Sequence, residues 1–82
     1  MNREVRLKPR AIRDLANLPL PIRRRILAKI EVLQTDRRGD VKRLTNYTPE
    51  YRLRVGEYRV LFDIEGSTII VYRVGHRREA YR

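Results

Sequence analysis

Residues Tyr51 to Tyr81 read YRLRVGEYRVLFDIEGSTIIVYRVGHRREAY, and this stretch decides the fold. Tyr51, Leu53 and Val55 share one parity, and Arg52 and Arg54 share the other. After Gly56-Glu57 the alternation resumes, with Tyr58, Val60, Phe62 and Ile64 on one parity and Arg59, Leu61 and Asp63 on the other. Period-two alternation marks a strand with one buried face. A two-residue Gly-X loop suits a tight hairpin of the II′ kind. That loop sets Val55 opposite Tyr58, Leu53 opposite Val60 and Tyr51 opposite Phe62 on the apolar face. The same register sets Arg54 opposite Arg59, and like charges facing each other across a ladder are destabilising. Such a face is either fully wet, with arginines snorkelling into solvent, or it receives an anion.

The next strand candidate is Thr68 to Val74, after a turn at Glu65-Gly66-Ser67. A three-residue loop puts Ile70, Tyr72 and Val74 on the core face and Arg73 opposite Arg59. A two-residue Gly66-Ser67 loop flips the parity and turns Arg73 into the core. Burying an unpaired guanidinium is costly, so the three-residue loop is the expected one. Arg52, Arg54, Arg59, Arg73 and Arg77 then converge on one sheet face, with Tyr81 leaning over its edge.

Eighty-two residues make one small domain, 1–82, with one modest core. The absence of cysteine excludes disulfides and thiolate metal sites, and the single histidine, His76, forms no cluster. No metal or cofactor is expected. There is no signal peptide and no apolar run long enough to span a bilayer, so the expected compartment is the cytoplasm. The formal net charge is +10. That bias speaks to partners rather than fold, and it points to nucleic acid or an acidic protein. Every cation except Lys8, Lys29 and Lys42 is arginine, whose planar fork matches phosphate.

Upstream, Arg3 to Leu7 is a short strand candidate that could join the later sheet. Pro9 suits the first position of a helix. Ala11, Ile12, Leu15 and Ala16 continue it at helical spacing to about Asn17. Leu18-Pro19-Leu20-Pro21 breaks the chain, and Pro21 can open a second helix. From Ile22 to about Gln34, Ile22, Ile26, Ile30 and Leu33 form a stripe with Leu27 beside it, while Arg23, Arg24, Arg25 and Lys29 take the other faces. Two helices so closely joined should form an antiparallel hairpin. Asp36 to Glu50 reads as a long connection pinned by Val41 and Leu44. The expected fold is α+β, in the order β-α-α-β-β-β. A small antiparallel sheet carries the helical hairpin on one face and leaves the arginines on the other.

An arginine face of this kind can hold a phosphate backbone. It can also support RNA cleavage without a metal, by attack of the 2′-OH on the adjacent phosphate. That chemistry needs a base, stabilisation of the phosphorane-like transition state and an acid for the leaving 5′ oxygen. Arginine suits the second role and is a poor base. Tyr81 is the better base, because neighbouring guanidinium groups favour a phenolate; it could instead stack on a nucleobase. Histidine is the residue type suited to proton transfer near neutrality, but alternation places His76 on the opposite parity to Arg77.

The segment Tyr51-Arg-Leu-Arg-Val-Gly-Glu-Tyr-Arg-Val-Leu-Phe62, followed by Val74-Gly-His-Arg-Arg-Glu-Ala-Tyr81, resembles the RelE branch of the RelE/ParE toxin superfamily. With the element order, the resemblance extends over nearly the whole chain. It implies the toxin of a type II toxin–antitoxin pair, an endoribonuclease that enters the vacant ribosomal A site and cuts mRNA there. Carried across, the basic positions of the first hairpin strand fall on Arg52 and Arg54, and the arginine after the hairpin falls on Arg59. The arginine of the Gly-Lys/His-Arg motif falls on Arg77, as transition-state stabiliser or general acid, and the C-terminal tyrosine falls on Tyr81. Well-studied members have lysines where this chain has Arg52 and Arg54, which shifts the base to Tyr81 or His76. Arg73 joins Arg52 and Arg54 as a substrate-binding position. No closing C-terminal helix is expected after Arg82. The implied partners are the ribosome and mRNA, a cognate antitoxin with an acidic or amphipathic segment, and operator DNA through that antitoxin. Two other readings stand beside this one: a ParE-like inhibitor of DNA gyrase without nuclease activity, and a basic RNA-binding module without chemistry.

Overall fold

The computed structural model describes residues 3–35, 40–44 and 49–77. Its elements run β1 (Glu4–Leu7), α1 (Pro9–Ala16), α2 (Leu20–Thr35), β2 (Asp40–Arg43), β3 (Tyr51–Val55), β4 (Tyr58–Glu65) and β5 (Thr68–His76). The five strands form one sheet in the order β1-β5-β4-β3-β2. The α+β class and the helical hairpin on one face are as the pattern predicts, with two differences. The sheet is mixed, because β1 runs parallel to β5. The long connection also contains a strand, β2, which pairs antiparallel with β3 and sets Val41 opposite Leu53. Val41 packs against the core as expected.

The β3–β4 hairpin has the register read from alternation. Val55 faces Tyr58, Leu53 faces Val60, Tyr51 faces Phe62 and Arg54 faces Arg59. Tyr51 and Phe62 stack with ring centroids 5.5 Å apart. Gly56 opens the two-residue loop at φ 59, the left-handed conformation that primed hairpin turns require and glycine adopts without strain.

The β4–β5 connection corrects the sequence reading. The loop is the two-residue one, Gly66-Ser67, with Glu65 opposite Thr68 and Ile64 opposite Ile69. Ile69 and Val71 therefore face the core, not Ile70 and Tyr72. The register then shifts: Phe62 pairs with Val71, and Leu61 pairs with Arg73, leaving Tyr72 as an extra residue. This bulge reverses the parity of β5. Val74 returns to the core and Arg73 leaves it, so Arg73 stands opposite Leu61 rather than Arg59. Gly75 takes the place opposite Arg59.

The core lies between the helices and one sheet face. Ala11, Leu15, Ile26, Ile30 and Leu33 from the helices meet Leu53, Val55, Val60, Phe62, Ile69, Val71 and Val74. Ile12 and Leu27, at the margin of the helical stripes, remain exposed at 53% and 37%. Arg23, read as a solvent-face residue, instead closes the end of α1. Its Nε donates to the Leu15 carbonyl at 3.0 Å, and its Nη2 donates to those of Ala16 and Leu18 at 3.3 and 3.1 Å. These carbonyls stand at and just past the helix end, where a cation is favoured by the helix dipole; that of Leu15 also accepts the Leu18 N–H at 3.1 Å. Among the described residues, no helix is long and apolar enough to cross a membrane.

Candidate functional site

The sheet face away from the helices carries the arginines in rows set by the register. One row runs Lys42, Arg52, Leu61, Arg73 across four strands. Strands lie about 4.8 Å apart, so Arg52 and Arg73 are separated by roughly 10 Å, with Leu61 between them. Leu61 is only 1% exposed although it lies on the face away from the helices. The Nε atoms of its two neighbours, Arg52 and Arg73, are buried as well. Long stems that cover apolar surface and carry charge outward account for this arrangement. Tyr72, the bulged residue, lies beneath the Lys8 ammonium, 5.6 Å from its ring centroid. The next row is Asp40, Arg54, Arg59, Gly75.

Arg54 and Arg59 are the like-charged pair. The Arg59 guanidinium turns back on the hairpin, where Nη1 donates to the carbonyls of Gly56 at 3.1 Å and Tyr58 at 3.0 Å. Those dipoles offset part of the repulsion from Arg54. Arg59 is thus partly committed to holding the turn.

Arg77 follows β5 and meets the same turn. Its backbone N–H donates to the Glu57 carbonyl at 2.8 Å, and its Nε lies 3.3 Å from Glu57 Oε2. A third cation comes from α2: a Cβ on Gly56 would stand 3.5 Å from both Nη atoms of Arg25. Neither Arg25 nor Glu57 is marked by the sequence pattern, because both are joined to the face only through the tertiary position of the turn.

His76 lies on the other side. It pairs with Tyr58, their rings edge to face at 5.7 Å. Together they line a pocket of about 450 Å³ with Asp14, Asn17, Leu18, Val74 and Gly75, next to α1. His76 therefore stands on the side of the sheet opposite Arg52, Arg54, Arg59 and Arg73. Asp14 accepts the Val74 N–H at 3.0 Å and so anchors the strand that leads to Arg77. Tyr81, the expected base or stacking group, lies outside the described residues.

Chemically, the face offers convergent cations, hydrogen-bond donors fixed on a rigid sheet, and one guanidinium, Arg77, displayed at the sheet end. That combination fits the phosphodiester backbone of a nucleic acid.

Comparison with known proteins gives a consistent result. The family described as ParE toxin of type II toxin–antitoxin system matches residues 5–81. Toxin RelE3 of Methanocaldococcus jannaschii is 40% identical over 75 residues, covering 85% of each chain. A chain of the RelB-RelE antitoxin–toxin complex from Methanococcus jannaschii superposes with a TM-score of 0.74 at 36% identity, over 88% of this chain and 89% of that one. A chain of the archaeal RelE-RelB complex from Pyrococcus horikoshii gives a TM-score of 0.79 at 25% identity, over 98% and 100%.

Proposed function

The chain belongs to the RelE/ParE superfamily of type II toxins, on its RelE side, and from that premise we propose that it cuts mRNA in the ribosomal A site. The observation that carries this reading is the gathering of Arg52, Arg54, Arg59, Arg73 and Arg77 on one sheet face and its hairpin end. Arg52, Arg54 and Arg73 hold the backbone of the bound codon. In the cleavage step the 2′-OH loses its proton, its oxygen bonds to phosphorus, and the P–O5′ bond breaks. The products are a 2′,3′-cyclic phosphate and a 5′ oxygen that takes up a proton. Charge builds on the non-bridging oxygens in the transition state, and Arg77 is the group that stabilises it. Arg59 adds charge from the turn. Tyr81 is the proposed base, on the family resemblance. His76, behind the sheet, acts on the packing of Tyr58 rather than on the substrate.

The relatives solved as RelB-RelE complexes support a cognate antitoxin for this chain too. An acidic, amphipathic segment would neutralise the arginine face and cover apolar side chains left exposed on the helices, such as Ile12 and Leu20. Operator DNA would be reached through that antitoxin, and the site of action would be the cytoplasm, where the ribosomes are.

Primer extension on mRNA tests the reading, with purified ribosomes carrying an empty A site and with the same RNA free. Cuts within the A-site codon on ribosomes only are expected. No cuts in either sample, from folded protein free of antitoxin, would sink the nuclease reading. The ParE description of the matching family makes gyrase inhibition the second reading, and a supercoiling assay would follow that outcome.

A further inference from the structure

The β3–β4 turn meets arginines from three elements: Arg25 of α2, Arg59 of β4 and Arg77 beyond β5. It answers them with one carboxylate, Glu57. The Glu57 side chain is 63% exposed and that of Arg77 is 53% exposed. An exposed pair of this kind adds little to stability, so its geometry matters more than its contribution to folding. Two contacts join Arg77 to Glu57, a hydrogen bond at the backbone and an ion pair at Nε. They act on different parts of the residue. The backbone bond sets where the chain leaves the sheet. The carboxylate at Nε restrains the side chain and leaves the two Nη groups, the outer edge of the fork, to face an anion.

We infer that Glu57 is a positioning residue for the cleavage reaction, holding the Arg77 guanidinium by Nε so that its Nη edge meets the scissile phosphate. This inference rests on the nuclease reading above. A long arginine side chain released from that contact samples many rotamers, and few of them present both Nη groups to one phosphate. The charge of Arg77 remains after the contact is lost, so attraction of RNA remains. The orientation needed in the transition state does not. The signature is therefore a loss in the chemical step without a loss in binding.

The test is single-turnover cleavage on programmed ribosomes at saturating toxin, with affinity for the same ribosomes measured separately. Glu57→Ala should slow cleavage by about two- to fivefold, the most that losing a weak exposed contact can cost, with ribosome affinity undiminished. Glu57→Gln keeps an oxygen acceptor at the same reach and should restore most of the rate. The Arg77 Nε–H resonance gives a second readout, whose wild-type half needs no variant. It should exchange more slowly than the Nε–H of an unrestrained arginine, and faster in Glu57→Ala. Cleavage by Glu57→Ala at the wild-type rate would overturn the inference, as would a defect confined to ribosome affinity. A wild-type Nε–H exchanging as freely as that of an unrestrained arginine would overturn it too. Wild-type protein that cuts nothing would overturn the nuclease reading and this inference with it, whereas cutting indifferent to Glu57 overturns the inference alone.

Discussion

Replacing Asp14 by alanine should destabilise the domain far more than its place on a short surface helix suggests. The last β1 pair is Leu7 with Val71, so β5 continues past its parallel neighbour and loses its ladder partner on that side. Asp14 takes over: Oδ2 accepts the Val74 N–H at 3.0 Å, while Oδ1 accepts Arg10 Nε at 3.0 Å. The Asp14 side chain is only 15% exposed. A hydrogen bond to a charged group contributes about 1.5–3 kcal/mol, and stranding the amide in a part-buried site forfeits most of that. The i,i+4 pair with Arg10 adds about 0.3–0.5 kcal/mol. The expected loss for Asp14→Ala is therefore about 2–3 kcal/mol. For a domain of this size that lowers the thermal midpoint by roughly 10–20 °C. Urea unfolding followed by circular dichroism measures it, with Arg10→Ala as the control at about 0.5 kcal/mol. Asp14→Asn keeps an oxygen acceptor and should fall between the two. An Asp14→Ala variant within about 0.5 kcal/mol of wild type, or one no worse than Arg10→Ala, would refute the reasoning and make the Val74 contact incidental.

Three further outcomes are expected. Phe62→Ala removes a fully buried ring that stacks on Tyr51 and should cost about 3–5 kcal/mol, enough to leave much of the chain unfolded in a thermal melt at physiological temperature. Arg23→Ala strips three carbonyl contacts from the end of α1. It should cost about 1–2 kcal/mol, read by chemical denaturation, whereas Arg24→Ala on the exposed face should cost almost nothing. Arg77→Ala should reduce cleavage on ribosomes by about 10²–10³-fold while shifting stability by less than about 1 kcal/mol, because its partner Glu57 is exposed.

Legibility in the sequence followed the reach of each signal. The β3–β4 hairpin was readable because alternation and a Gly-X loop are both local, and together they leave one register. The Arg54–Arg59 opposition came with that register. The stripe of Ile22, Ile26, Ile30 and Leu33 was equally plain, since a helix writes its buried face at a fixed period. β2 was not readable: DVKR is four residues, three of them charged. It is a strand because β3 offers it an edge. Arg23 could not be told from Arg24 and Arg25 by spacing, because its role depends on where α1 ends in space. The same holds for Glu57 and Arg25 at the turn. Of the candidate site, the arginine face was legible as a face, but not how each arginine is held.

The bulge at Tyr72 shows why β5 defeats a strict alternation argument and what the exception achieves. With the two-residue Gly66-Ser67 loop and no bulge, Ile69, Val71, Arg73, Gly75 and Arg77 would share the core face. Two guanidinium groups would then enter a layer otherwise built of apolar side chains, at a desolvation penalty of several kcal/mol each. A three-residue loop would keep Arg73 outside but would send Ile69 and Val71 to the solvent face and bring Tyr72 inside. One inserted residue resolves the conflict. Ile69 and Val71 stay buried before the bulge, Val74 is buried after it, and Arg73 and Gly75 emerge on the arginine face, leading to Arg77 at the hairpin end. The cost is one disrupted step of the ladder, smaller than either alternative. Bulges commonly sit beside functional sites, where they re-aim side chains. Here the re-aimed side chain is Arg73, and the strand end that follows is the one that delivers Arg77 to Glu57. The apolar pattern of β5 and its cationic pattern are each satisfied by the same local irregularity, so folding the core correctly also assembles the charged face.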